Sequence, residues 1–241
     1  MIYKLKKATL SLILACYNEG PTLEDSVTKI VSVLKKIKGD WEIIFVDDKS
    51  TDDTRKALNA IASASKKFKV IYHNRNQGRG RSVSDGIKAA KGDMCGYLDV
   101  DLEVSADYLP LFLREVEEGS DLVVGQRFYE GGGFKALSRF FASKIYAYSV
   151  KMLFNSPVDD TEAGYKFFKK SKILPILSKI KNKRWFWDTE ICVKASISGL
   201  KVTQIPVLFK RRADKKSTVR LIPDTIDYIS NLIRLKKELS T

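Results

Sequence analysis

The 241-residue chain has one histidine, His73, three cysteines and no apolar run near the ~20 residues that span a bilayer. A single histidine rules out a Ser-His-Asp triad and a two-histidine metal site. Between "FKVIYH" and "NRNQG" it reads as a surface residue at a strand end. Cys16, Cys95 and Cys192 have no metal-type spacing and sit in apolar or helical stretches, so reduced, buried thiols of a cytosolic protein are expected. No G-x-G-x-x-G follows the first apolar run and no G-x-x-x-x-G-K-[ST] occurs anywhere. The nearest stretch, "NQGRGRSVSDG", fits neither, which argues against a nicotinamide dehydrogenase or a P-loop ATPase. The opening "MIYKLKKATLSLILACYNEG" has lysines before a short apolar stretch but no cleavage site, and reads as a first strand rather than a signal peptide.

Acidic charge is scarce in one half only. Residues 1–125 hold 19 Lys and Arg against 19 Asp and Glu, whereas residues 126–241 hold 24 against 10, which is the whole net charge of +14. A basic second half suggests an anionic partner: nucleic acid, an anionic membrane or a phosphorylated acceptor.

Short apolar runs alternate with amphipathic ones. Strands are predicted over 9–16, 41–48, "FKVIYH", 94–101 and "DLVVGQRF". Helices are predicted over 22–37 with Thr22 as N-cap, 50–64 with Ser50 as N-cap, from "GRGRSVSDGIKAA", and over 106–119. The alternation implies an α/β fold, a mostly parallel sheet covered by helices, whose ligands bind at the carboxyl ends of the strands. Two amphipathic basic helices are predicted in the second half. The first follows a glycine hinge over 131–154 and carries Lys135, Arg139, Lys144 and Lys151 among Phe140, Phe141, Tyr146, Tyr148 and Phe154; the second spans 221–239. Such helices suit a membrane interface, or ordinary packing on the sheet.

Acidic residues cluster where strands should end. Asp99 and Asp101 stand two apart, and Asp47 closes another strand. If extended, Asp99 and Asp101 face the same way and offer two hard oxygen donors to Mg²⁺ or Mn²⁺, with diphosphate oxygens completing the shell. Taken alone, D-x-D reads equally as a solvated acidic turn.

The order "ILACYNEGPTLEDSV", "IIFVDDKSTDDT", "NRNQGRGRSVSDGIKAAKGD", "LDVDLEV" resembles the family-2 glycosyltransferases of the GT-A fold over residues 9–127. Downstream, "GQRF", "LSRFFAS", "DTEAGYKFF", "RWFWDTEI" and "PVLFKRRADKKSTVRL" resemble the dolichyl- and polyprenyl-phosphate glucose and mannose synthases. The resemblance implies a GT-A catalytic domain over 1–220, with a nucleotide-sugar half (1–127) and an acceptor half (128–220), followed by an amphipathic helix over 221–241. Ala15, Tyr17 and Glu19 would line the nucleotide pocket, with Phe45 and Asp47 near base and ribose. Asp99, Val100, Asp101 and Glu103 would surround metal and diphosphate, with Asp99, Asp101 and Glu103 as metal ligands. Arg127 would contact the donor phosphates. Arg139 and Ser143 would bind the acceptor phosphate. Arg212, with Ser217, would lie on a closing loop. Asp188, beside Glu190, would stand where relatives place a general base.

The implied activity is an inverting transfer of a hexose from UDP-glucose or GDP-mannose to a polyprenyl phosphate, dependent on Mg²⁺ or Mn²⁺, at the cytoplasmic face of a membrane, reached through a peripheral membrane surface or a membrane partner protein, and without nucleic acid. A family-2 transferase acting on a glycan or protein is the alternative. A phosphate acceptor is already anionic and needs arginines more than a base. Asp188 is therefore expected to hold sugar hydroxyls or an arginine. Several residues depart from the family pattern: Ala15 for proline, Lys49 and Lys215 for glycine, Val100 for alanine, Glu103 for glutamine and Ala163 for cysteine.

Overall fold

In a computed structural model, residues 3–4, 9–129, 134–212 and 221–240 are described, with backbone alone for 3–4, 134–143 and 221–225. Seven strands share one sheet: β1 (Leu10–Cys16), β2 (Trp41–Asp47), β3 (Phe68–Tyr72), β4 (Met94–Leu98), β5 (Leu122–Tyr129), β6 (Tyr165–Lys169) and β7 (Val202–Phe209). Their spatial order is β3-β2-β1-β4-β6-β5-β7. Neighbours run parallel except β6, which is antiparallel to both β4 and β5. The helices are α1 (Gly20–Leu34), α2 (Thr54–Ala64), α3 (Arg79–Ala89), α4 (Leu109–Glu117), α5 (Phe134–Phe154), α6 (Lys170–Leu177), α7 (Trp187–Ile197) and α8 (Leu221–Leu239).

The inner strands are continuously apolar because both their faces are covered. Leu10, Leu12 and Leu14 pack under α1 and α4, whereas Ile13 points to the other face, among Val83, Ile87, Trp187 and Ile191. A third cluster joins α5, α7 and α8 through Val150, Phe154, Phe186, Val193, Leu232 and Leu235. All three cysteines are buried and free.

The element boundaries differ from the sequence reading in instructive ways. Helix α1 begins at Gly20 with Pro21 in its first turn, and the Glu19 carbonyl, not Thr22, receives the first amide bonds. Helix α2 begins at Thr54; the Ser50 hydroxyl instead accepts the Asn18 amide. Strand β4 stops at Leu98, and Asp99 and Asp101 belong to a turn in which Leu102 has φ 53°. His73 is buried rather than on the surface, its Nδ1 2.8 Å from Asp48 Oδ1. That aspartate also accepts the amides of Gln77 and Gly78 at 2.8 Å each, so it pulls the 73–78 loop inward and takes the histidine with it. Lys49, where the family pattern has glycine, has φ 66°, a conformation glycine adopts without strain.

Candidate active site

At the carboxyl end of the sheet, the segment after β4 meets the end of β5 and the start of the segment after β7. A small cleft there is lined by Asp99, Asp101, Glu103, Arg127, Gly164 and Phe209. It unites residues from four separate stretches of chain. Val104 bridges to Phe209, and the Glu103 carbonyl accepts the Lys210 amide at 2.8 Å. The Glu103 carboxylate accepts the Arg212 amide at 3.1 Å. Glu103 therefore tethers the chain leaving β7 to the D-x-D turn, a job its spacing did not reveal. Arg127 forks onto Asp160, with Nε 2.7 Å from Oδ2 and Nη2 2.8 Å from Oδ1. Burial works to raise the Asp160 carboxyl, but Arg127 outweighs it and holds that carboxyl below the ordinary aspartate range.

A buried polar network lies behind the cleft. Arg79, the first residue of α3, donates to Asp99 Oδ1 through Nε (3.1 Å) and Nη2 (2.6 Å), and to Asp188 Oδ2 through Nη1 (2.5 Å). Asp188 also accepts from the Tyr97 hydroxyl and from Lys166 Nζ at 2.7 Å. Sequence reasoning missed Arg79 and Lys166. The signal for Arg79 lay in its flanking glycines: a Cβ on Gly78 would stand 2.5 Å from the Lys183 carbonyl, and one on Gly80 2.3 Å from Trp187 Cβ. Those bare positions let α3 press against the segment leading into α7, which brings Arg79 to Asp188. Gly164 serves Asp99 similarly, since a Cβ there would lie 1.9 Å from Asp99 Oδ2. Glu190 faces elsewhere, accepting the amides of Lys181 and Asn182 and pairing with Lys194 at 2.9 Å.

On the nucleotide side, Ala15 is half-buried near the end of β1, and just beyond the strand Tyr17 is exposed and Glu19 half-buried. Asp47 is buried at the end of β2, gripped by Arg55 (Nε 3.2 Å, Nη2 3.0 Å) and by the Ser50 amide at 3.1 Å. Phe45 is fully buried against Phe68 in the core, and Val100 is buried as well, so neither side chain reaches the cleft. Arg139 and Ser143 fall in α5, but their side chains lie outside the described residues; Lys215 and Ser217 lie outside them altogether.

Among the described residues, no three His, Cys, Asp or Glu side chains form a ready-made metal cage. The donor set nevertheless fits a hard divalent ion shared with a ligand. Asp101 is half-exposed on the cleft, Asp99 lines it too, and carboxylate oxygens are the donors such ions take.

Residues 11–176 match Glycosyl transferase family 2, and the chain belongs to that family. It is 27% identical over 229 residues to Glycosyltransferase AglD of Haloferax volcanii, covering 93% of this chain and 36% of that protein. It is 28% identical over 240 residues to a dolichol-phosphate mannosyltransferase of Pyrococcus furiosus, covering 95% of this chain and 64% of that one. The chain thus spans about a third to two thirds of the length of these two relatives. In fold it is similar to glucosyl-3-phosphoglycerate synthase of Mycobacterium tuberculosis solved with Mn²⁺, UDP and glucosyl-3-phosphoglycerate. That likeness has TM-score 0.72 at 21% identity over 95% of this chain and 80% of that one. The same synthase has also been solved with Mg²⁺ and UDP. The chain is thus a member of the family-2 glycosyltransferases with the GT-A-like α/β fold.

Proposed function

We propose that this enzyme transfers a hexose from a nucleotide-sugar, UDP-glucose or GDP-mannose, to a polyprenyl phosphate, inverting the anomeric centre in one displacement. The observation that carries this reading is the state of Asp188. Its two oxygens are already engaged by donors of the chain itself, Arg79, Lys166 and Tyr97, and it does not line the cleft, so it is not placed to take a proton from an acceptor there. A sugar or protein hydroxyl must lose a proton in the transition state; a phosphate monoester, carrying about −1.5 to −2 at neutral pH, attacks without that help. The acceptor of the dolichol-phosphate mannosyltransferase relative is consistent with the phosphate reading.

On this reading the nucleotide lies over the ends of β1 and β2, near Tyr17 and Asp47. Asp99 and Asp101 would hold Mg²⁺ or Mn²⁺, as bound by the synthase of similar fold, with Glu103 beside them. When bound, the ion supplies charge neutralisation for the departing nucleoside diphosphate. Arg127 lines the same cleft as Asp101 and is proposed to meet the donor phosphate oxygens, its own charge balanced by Asp160. Arg139, Ser143 and Arg212 are proposed to take the acceptor phosphate, for which a guanidinium offers paired donors. Arg79 and Asp188 position the acidic turn and do not themselves react. Catalysis would come from orientation and charge stabilisation. Among the described residues no helix is long and apolar enough to cross a membrane, and we place the enzyme peripherally on the cytoplasmic face, where a lipid phosphate would be met.

The test is release of UDP or GDP from the matching sugar donor when Mn²⁺ and a detergent-dispersed polyprenyl phosphate are supplied. Turnover with soluble glycans or peptides, and none with the lipid phosphate, would overturn the proposal.

A further inference from the structure

The outer sides of α5 and α8 carry large apolar side chains open to solvent. On α5, Ile145, Tyr148 and Met152 are 66–67% exposed; on α8, Ile226, Ile229 and Ile233 are 52–63% exposed. Their three- and four-residue spacing places each set on a single helix face. The opposite faces are the packed ones: Tyr146, Val150 and Phe154 of α5 and Tyr228, Leu232 and Leu235 of α8 share the cluster with Phe186 and Val193. The two helices run side by side in the same direction. The Tyr146 and Tyr228 rings lie 5.0 Å apart, and further along Lys236 Nζ reaches the Leu153 carbonyl at 2.8 Å. Both exposed stripes therefore lie on one outer face. Isolated exposed isoleucines are ordinary, but six large apolar side chains in two stripes on adjacent helices, all turned away from the shared cluster, are not.

The charge around these stripes is mainly basic. Helix α5 contains Lys135, Arg139, Lys144 and Lys151 and no acidic residue; α8 has Asp224 and Asp227 in its first half and ends in Arg234, Lys236, Lys237 and Glu238, the last paired with Lys181 and Lys194. Lys144, Lys151, Arg234, Lys236 and Lys237 are all exposed. Lys151 has a surface partner in Asp159 at 3.2 Å. An apolar helix face rimmed by Lys and Arg, on helices too polar to span, is the arrangement that lies flat in an anionic lipid interface.

We propose that this α5–α8 face is the surface by which the enzyme docks on an anionic membrane leaflet. The inference deepens the lipid-acceptor reading by naming the surface that brings the cleft to the bilayer, and it can be tested apart from that reading.

The full chain is cosedimented with phosphatidylcholine vesicles containing about 30% phosphatidylglycerol and no polyprenyl phosphate. Wild type is expected in the pellet, and with pure phosphatidylcholine its partitioning should drop about tenfold or more. Ile229→Glu/Ile233→Glu on α8 and Tyr148→Glu/Met152→Glu on α5 should each weaken binding to the anionic vesicles by about tenfold or more. Circular dichroism monitors folding, and the two variants sit on different helices, so either one alone can give the answer. Turnover with detergent-dispersed polyprenyl phosphate should stay unchanged in both. Failure of wild type to pellet, unaltered partitioning of a folded variant, or self-association through this face in sedimentation in place of vesicle binding would overturn the docking surface. Vesicle binding without any turnover would instead count against the acceptor alone.

Discussion

Arg79 holds Asp99 and Asp188 at once, its Nη2 2.6 Å from Asp99 Oδ1 and its Nη1 2.5 Å from Asp188 Oδ2. One guanidinium thus links the D-x-D turn to the first turn of α7. Replacing it by methionine should leave Asp99 without an anchor. Misplacement on the scale of 1 Å costs on the order of 10²-fold, and kcat/KM of Arg79→Met should fall by at least that. Arg79→Lys should recover only part of it, because an ammonium is a point charge and cannot fork onto two carboxylates. Mn²⁺ binding by isothermal titration, with and without UDP, supplies a second readout that a displaced Asp99 should weaken.

Asp101 lies on the cleft and is half-exposed. Asp101→Asn should reduce transfer by about 10²–10³-fold, the scale of losing one preorganised charge-stabilising group. Its urea midpoint should stay close to wild type, because an isosteric amide oxygen at 101 can still accept the Glu103 amide. A large loss of stability would show that the turn, and not the chemistry, depends on the charge.

Asp188→Asn separates positioning from proton transfer. Lys166 is fully buried and would lose its charged partner; breaking such a pair costs about 3–5 kcal/mol, and chemical denaturation should show a loss near the lower figure because Ala163 still accepts from Lys166. If Asp188 only positions, activity also falls, but the pH profile of the remaining turnover keeps the wild-type shape. Disappearance of a single acidic-limb ionisation in the variant would identify Asp188 as the base.

The Arg127–Asp160 pair should make stability depend on pH in one direction. The folded carboxyl titrates below its unfolded value of about 3.9, so its contribution is present above that pH and is lost as pH falls through the lower, folded value. Wild type should therefore exceed Asp160→Asn in urea midpoint by a constant margin from pH 7 to about 4, and the margin should shrink below that. An unchanging margin down to pH 2.5 would show that the ionised form of Asp160 gives the pair no strength.

Much of this architecture was legible because it repeats. Leu23, Val27, Ile30 and Leu34 recur at helical spacing, and the apolar runs ending in Asp47 and Leu98 announced buried strands. The D-x-D turn and the basic second half were also readable. Less legible was what depends on contacts far apart in the chain. Arg79 finds its partners 20 and 109 residues away, and nothing local marks that. The orientation of Phe45 was equally hidden: Ile43, Ile44, Phe45 and Val46 are all fully buried, so alternation along β2 does not tell which side chain points where. The segment 165–169 read only as a motif. It is β6, whose reversed direction no residue in it announces.

That reversed strand has a consequence for how the chain could be divided. β6 lies between β4 and β5, pairing Met94 with Lys169 on one side and Leu122 with Phe168 on the other. A fragment ending at residue 127 would hold β4 and β5 with an empty slot between them and two open strand edges facing it. Unpaired edges of that kind invite pairing with other chains, so the fragment should aggregate rather than survive as a nucleotide-binding module. The two halves of the chain are thus stitched into one folding unit, and separating them by truncation is closed off by a five-residue strand.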